Sequence, residues 1–291
     1  MITASMVKEL RISTGAGMMD CKKALVEADG DVAKATDILR EKGLSQAAKK
    51  ASRVAAEGAV MSSISEDGKV GVIVEVNCET DFVGHNENFQ SLASSIAKQI
   101  VDVNPADVEA LLASSLDGKT VKEVVTEAVA NMGENINIRR FVRYESAEGQ
   151  VYSYIHGGGK IGVLVEVKGG DAELGKDLAM QVAAANPAYL ERSEVPGAEL
   201  DHEKEVLREQ ARNEGKPEDI IEKMVIGRIN KYYKEVCLVD QPFIRDGDIS
   251  ITQLLKSKGA SVVRFSRYQL GEGIEKKQDN LAEEVAKQIN Q

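Results

Sequence analysis

The sequence predicts an α+β protein. It has an N-terminal three-helix module, two duplicated α+β subdomains with antiparallel sheets, a helical-hairpin (coiled-coil) insertion in the second copy, and a C-terminal helix. Three observations carry this reading. A β-branched apolar run, GVIVEV at 71–76, returns as IGVLVEV at 161–167. A second segment returns in the same order: Arg140, Phe141, Arg143 and Tyr144 are matched by Arg264, Phe265, Arg267 and Tyr268. Two separate matches in one order mark a duplication. The stretches before and between these strands carry apolar residues at the three-to-four spacing of helices.

Composition limits the possibilities. The chain has 291 residues, enough for more than one domain, and is 43% apolar and 29% charged. Its formal net charge is −10, which repels nucleic acid unless a basic patch is segregated. No run approaches the ~20 apolar residues of a membrane span. The start, MITASMVKEL, lacks the basic beginning and apolar middle of a signal peptide. Cys21, Cys78 and Cys237 form no pairwise framework and no CxxC, so reduced thiols and a cytoplasmic location are expected.

The first module, with its linker, spans 1–53. Thr3 or Ser5 caps a helix running to about Ser13, with Met6, Val7 and Leu10 on its apolar side. Thr14-Gly15-Ala16-Gly17 breaks it. A second helix carries Met19, Ala24, Leu25 and Ala28, and Asp31 caps a third with Val32, Ala35, Ile38 and Leu39 inside and Gly43 as its stop. The module resembles the ubiquitin-associated type of domain, a docking unit. Met18 and Met19, beside glycines, are either an adaptable contact surface or, for at least one of them, core. Leu44 to Arg53 reads as a linker, either helical or irregular, whose Lys49, Lys50 and Arg53 form an ordinary solvated face.

The first core subdomain spans 54–146. A strand at 57–65, a turn at 66–69 and a return strand at 70–76 make a hairpin. Phe89, Leu92, Ile96 and Ile100 mark a helix that Asn104-Pro105 ends. More helix follows through Leu112 and over 121–132, then a third strand at 136–144. The second subdomain spans 147–197 and 237–270. It repeats the pattern with strands at 151–155, 161–167 and 262–268 and a helix at 174–185 that Asn186-Pro187 ends. The insertion, 198–236, breaks at Gly215-Lys216-Pro217 and reads as an antiparallel helical hairpin. It is either closed on itself or open to a homodimer contact. The tail, 271–291, carries Leu281, Val285 and Ile289 on one stripe of an amphipathic helix.

One loop stands out. The strand at 70–76 runs into NCETDFVGH, whose Asn77, Glu79, Thr80 and Asp81 are turn and cap types presenting Phe82 and Val83. An apolar ring at the tip of a polar loop is either tucked into local core or held out for a partner. Packing alone makes local core the commoner case. The second copy ends in Lys168-Gly169-Gly170-Asp171 and has no apolar tip, which favours the partner reading.

Sites for covalent chemistry are not evident. His85, His156 and His202 stand in no metal-ligand spacing. No phosphate-binding glycine motif appears, so no nucleotide, metal or cofactor is expected to bind directly. The HGGG run at 156–159 would build an oxyanion hole only beside a G-x-S-x-G elbow, which is missing; glycine triplets before a strand are more often hairpin turns. A peptide-binding scaffold, a hydrolase using His156 and an RNA-binding factor are the rival classes. The missing elbow opposes the second and the charge opposes the third.

Two signatures and the tail match a known family over the whole chain. Leu10-Arg11 with Thr14 to Leu25 (TGAGMMDCKKAL) is one, Glu75 to Val83 (EVNCETDFV) the other, and Gly271 to Lys276 (GEGIEK) the tail. On these residues the chain resembles the bacterial elongation factor Ts family. It departs from the family's usual pattern at Gly84-His85, where a small residue and a Lys or Arg are common, and at Lys160, where Arg is common. The resemblance implies a guanine-nucleotide exchange factor of translation that makes and breaks no bond. Its partner would be elongation factor Tu, contacted on the G domain and on a second domain. It further implies that Thr80, Asp81, Phe82 and Val83 enter the partner near its Mg²⁺ and phosphate site. Met18, Met19, Lys22, His156 and the C-terminal helix would be secondary contacts.

Overall fold

The computed structural model describes residues 2–275 of the chain. The expected tail helix, with Leu281, Val285 and Ile289, lies outside the described residues. The chain divides into two compact units, one of residues 2–61, 74–141 and 269–275, the other of residues 62–73 and 142–268.

The N-terminal module is three helices, α1 (Ala4–Thr14), α2 (Met18–Glu27) and α3 (Val32–Lys50). The Thr3 hydroxyl caps α1 by accepting from the Met6 amide at 3.3 Å, and Asp31 caps α3 by accepting from the Lys34 amide at 3.1 Å. Gly15 ends α1 in the left-handed region, φ 68°. The module's core is Val7, Leu10, Cys21, Ala24, Leu25, Ala28 and Ala35. Three expectations are corrected here. Val32, expected inside α3, is 45% exposed, because it sits at the first residue of the helix and the packed positions begin at Ala35. Met19 is exposed: the buried stripe of α2 is 21, 24, 25 and 28, and position 19 lies off that 3.6-residue period. Gly43 does not stop α3, which runs on to Lys50. Gly43 is buried, and a Cβ there would meet the Ala130 Cβ at 3.3 Å. Its smallness serves the close packing of α3 on α7 (Val121–Met132).

β1 (Glu57–Ile64) and β2 (Val70–Cys78) form the expected hairpin. α4 (Asp81–Gly84), α5 (Glu87–Val103), α6 (Val108–Ala113), the short pair β3 (Ser115–Leu116) and β4 (Lys119–Thr120), then α7 and β5 (Asn137–Glu145) follow. The strand order is β1-β2-β5. β2 is buried from Gly71 to Cys78, and Phe89, Leu92, Ile96 and Ile100 form the buried face of α5. Asn104 ends α5 with φ 47°.

In the second unit, β6 (Gln150–His156) and β7 (Ile161–Lys168) pair antiparallel, with Gln150 opposite Val167 and His156 opposite Ile161. α8 (Ala172–Ala185), α9 (Gly197–Asn213), α10 (Glu218–Val236), the pair β8 (Pro242–Phe243) and β9 (Asp246–Ser250), α11 (Ile251–Ser257) and β10 (Ser261–Gln269) complete it. The order β10-β7-β6 is that of the first sheet: a hairpin whose second strand is central, with a late strand on its far side. The duplication is therefore one of topology as well as of letters. α9 and α10 close on each other over Leu207, Ala211, Ile221, Val225 and Ile229. β3–β4 and the β8–β9–α11 segment are additions to the pattern the sequence predicts.

The repeated letters encode a repeated ion pair. Glu75 on β2 accepts from Arg140 Nε on β5 at 2.7 Å, and Glu166 on β7 accepts from Arg264 Nε on β10 at 2.7 Å. In the first copy the carboxylate is fully buried and also takes the Arg139 guanidinium at 3.0 Å, the Asn77 amide at 3.2 Å and the Gly271 amide at 2.8 Å. Gly271 has φ 70°, and a Cβ there would lie 2.5 Å from the Ala56 carbonyl oxygen. Glu75 thus ties the root of the tail, through Gly271, to the centre of the first sheet.

The HGGG run is a turn. Gly157, Gly158 and Gly159 have φ of 60°, 66° and 100°, a succession open to glycine alone without strain. His156 ends β6, exposed, with Nδ1 3.1 Å from the Tyr154 hydroxyl.

Candidate functional site

The loop between β2 and α5, residues 79–86, is built from its base upward. β2 enters as a buried strand, so its last residues are fixed by packing. Cys78 Sγ donates to the Thr80 carbonyl at 3.0 Å. Burial, with Glu134 as the leading nearby charge, pushes this thiol up to about 12, so it is a neutral donor at physiological pH.

Thr80 then starts α4, a single turn. Its hydroxyl accepts from the Val83 amide at 3.4 Å, and its carbonyl accepts from the Gly84 amide at 3.1 Å. The turn is closed by His85, whose backbone amide and ring Nδ1 both donate to the Asp81 carbonyl, at 2.9 and 2.7 Å. Gly84 is buried against β1: a Cβ there would meet the Gly58 backbone at 3.1–3.3 Å. A side chain there would press on the strand's backbone, and one of the two would have to give. The Gly84-His85 pair therefore has a local structural role.

A carboxylate from elsewhere in the chain grips the base. Gly133 ends α7 with φ 79°, and Glu134 follows it. Glu134 Oε2 accepts from the backbone amides of Glu79 and Thr80, both at 3.0 Å, and Oε1 accepts from the Thr80 hydroxyl at 2.6 Å. The Glu79 side chain answers in the other direction: its Oε1 accepts from the Asn135 amide at 2.7 Å and from Arg53 at 3.4 Å. The Asn135 side chain donates to the Arg53 carbonyl at 2.8 Å. Arg53 is thus part of the loop's base, not only a solvated charge.

The result is an aromatic ring with almost no support of its own. Phe82 is 85% exposed, so it is not local core. Asp81 is exposed beside it and Val83 half-buried beneath. The other sequence-selected residues belong to other elements. Met18 and Met19 begin α2, 54% and 61% exposed, and Lys22 is exposed one turn on. His156 belongs to the second unit. Ile12 on α1, 74% exposed, was missed by sequence reading, as were Glu134 and Asn135. Ile12 lies off the Val7–Leu10 stripe, which was a usable signal; nothing local marks Glu134.

Comparison with known proteins decides the family. The family model described as Elongation factor TS matches residues 79–272. This chain belongs to the elongation factor Ts family. Its relatives include the elongation factor Ts of Clostridium perfringens (strain 13 / Type A), 56% identical with 99% of each chain covered. That of Halorhodospira halophila is 53% identical, with 99% of this chain and 98% of the relative covered. That of Clostridium acetobutylicum is 54% identical, with 100% and 99% covered. The family match begins at Glu79, the first residue of the loop, and ends at Glu272, within the segment held by Glu75 and Arg140.

Proposed function

We propose that this chain is the guanine-nucleotide exchange factor of elongation factor Tu and that residues 80–83 are its working loop. The observation that carries the reading is Phe82, an exposed ring on a one-turn helix whose base is fixed by hydrogen bonds. A single exposed apolar residue is ordinary; what sets this ring apart is that the turn beneath it is held in place, which leaves it ready for a partner, and family membership supplies the partner class.

In this mechanism Phe82 is an apolar wedge that enters the partner's G domain beside its Mg²⁺ and phosphate site. Asp81 comes close to the magnesium region, and Thr80 and Val83 keep the loop's shape. Mg²⁺ neutralises phosphate charge, so displacing it leaves GDP poorly held and lets GTP rebind. No bond is made or broken. The factor stabilises the nucleotide-free partner, and by linkage nucleotide weakens the factor's own binding equally. Each tenfold loss of GDP affinity needs about 1.4 kcal/mol of differential binding, so several decades need contacts beyond one loop. Met18, Met19 and Lys22 on α2, His156 in the second unit and the tail are assigned to these, some reaching a second domain of the partner. The domain boundaries given above, a cytoplasmic location and a homodimer contact through 198–236 belong to the same proposal. No helix among the described residues is long and apolar enough to cross a membrane.

The test is release of fluorescent GDP from purified elongation factor Tu with catalytic amounts of this protein. Multiple turnovers of accelerated release are expected. Unchanged release would refute the exchange reading and favour a docking scaffold.

A further inference from the structure

We infer that Glu134 is a positioning residue for exchange: its carboxylate holds the 79–80 segment so that Phe82 is presented in its binding geometry before the partner arrives. The inference rests on the proposed exchange function and deepens it.

The argument starts from what the loop lacks. A single turn such as α4 is too short to be stable by its own hydrogen bonds, because helix nucleation is unfavourable. Phe82 contributes little, since most of its surface is in water. The loop's conformation must come from its ends. At the far end, Gly84 rests on the Gly58 backbone. At the near end, two consecutive amides, Glu79 and Thr80, and the Thr80 hydroxyl all point to one carboxylate. A carboxylate can accept all three at once, and charge-assisted acceptors bind such donors more strongly than neutral ones.

The same hydroxyl that donates to Glu134 accepts from the Val83 amide. Glu134 therefore sets the Thr80 rotamer, and the Thr80 rotamer sets the cap of the turn bearing Phe82. The neighbouring residue, Asn135, holds the Glu79 carboxylate and the Arg53 carbonyl, so the residues after α7 grip the loop's first residue from both its backbone and its side chain. A loop ordered beforehand does not lose that entropy on binding, and the difference appears as affinity for the exchange complex.

The test uses the full chain with Glu134→Ala and Glu134→Gln. GDP release from elongation factor Tu is measured over a range of factor concentrations, and amide hydrogen exchange is followed in the free proteins. Glu134→Ala is expected to lower kcat/KM for release by about tenfold. Glu134→Gln should recover it to within about threefold, because the amide oxygen still accepts from both backbone amides and the amide nitrogen donates to the Thr80 hydroxyl. Faster hydrogen exchange in Glu134→Ala should be confined to 79–86. Release by Glu134→Ala equal to that of the unaltered chain would overturn the inference. So would a Gln variant as defective as the Ala variant, or loss of protection spreading through β2 and α5, which would mark general support of the fold. If the unaltered chain does not accelerate release, the exchange reading fails. Hydrogen exchange then judges the clamp alone, and full protection of 79–86 in Glu134→Ala would refute it.

Discussion

Replacing Phe82 by Ala separates presentation from packing. A Phe side chain moved fully from water into a core gains about 1.5–3 kcal/mol. With 85% of this residue exposed, only the remaining fraction of that gain, ~0.2–0.5 kcal/mol, is at stake in the free protein. Alanine also suits the single turn of α4 slightly better than Phe does. The two effects nearly cancel, so the Tm of Phe82→Ala should lie within about 2 °C of the parent. The exchange complex is different. If the ring is buried there as an anchor, truncation costs on the order of 2–4 kcal/mol, or roughly 30-fold to nearly 1,000-fold in kcat/KM for GDP release. Stopped-flow release of fluorescent GDP and a thermal melt on the same preparations read both quantities. A fall of many degrees in Tm with release intact would show that the ring supports the fold and that the exposure argument fails. Unchanged release with unchanged Tm would move the mechanism to other contacts.

Two further perturbations test the frame around the loop. Burial alone would raise the pKa of Glu75, but the Gly271 amide, Arg140, Arg139 and Asn77 outweigh it and leave the group below its ordinary 4.5. A carboxylate depressed in the folded state stabilises above its unfolded pKa, and that contribution is lost as pH falls through the folded value. Glu75→Gln should therefore lower stability at pH 7 by about 1–3 kcal/mol, and the gap should narrow steadily below about pH 4.5; urea melts at pH 7 and pH 3.5 measure it, and a gap independent of pH would contradict the assignment. Cys78, buried and pushed up to about 12, should resist a thiol reagent at pH 8 in the native protein and react fully in denaturant. Mass mapping of the labelled cysteine checks this, and rapid native labelling would show that the loop's base opens readily.

The parts of the molecule legible in the sequence are those written in local periods. The helices of the first module, the two hairpins, α5 and α8 with their Asn terminators, and the α9–α10 pair follow from apolar spacing and caps. Pairings across long separations were not legible. The sequence displayed Glu75 and Arg140 as members of two repeats, yet nothing local says that they meet across 65 residues, or that Glu166 and Arg264 meet across 98. Gly43 read as a helix stop because its local signal is that of a C-cap; contact with Ala130 overrode it. Glu134 is the same case at the site, since its partners lie 54 and 55 residues away.

The duplication offers a control on the loop that neither copy provides alone. In the second copy β7 reaches α8 through 169–171, and Asp171 caps α8 directly by accepting from the Leu174 amide at 2.8 Å. Gly169 and Gly170, with φ of 76° and 74°, make that reversal possible in so few residues. The first copy joins the corresponding strand and helix through 79–86 and spends the added length on α4. The fold needs only the short connection, as the second copy demonstrates. The added residues bury little of themselves, expose Phe82, donate hydrogen bonds to Glu134 and accept them from Asn135 and Arg53. The ring so held adds little to the free protein's stability. The hold is accounted for if the ring's position matters to something that binds it, which is the physical case for reading this loop, rather than the strands that carry it, as the working part of the molecule.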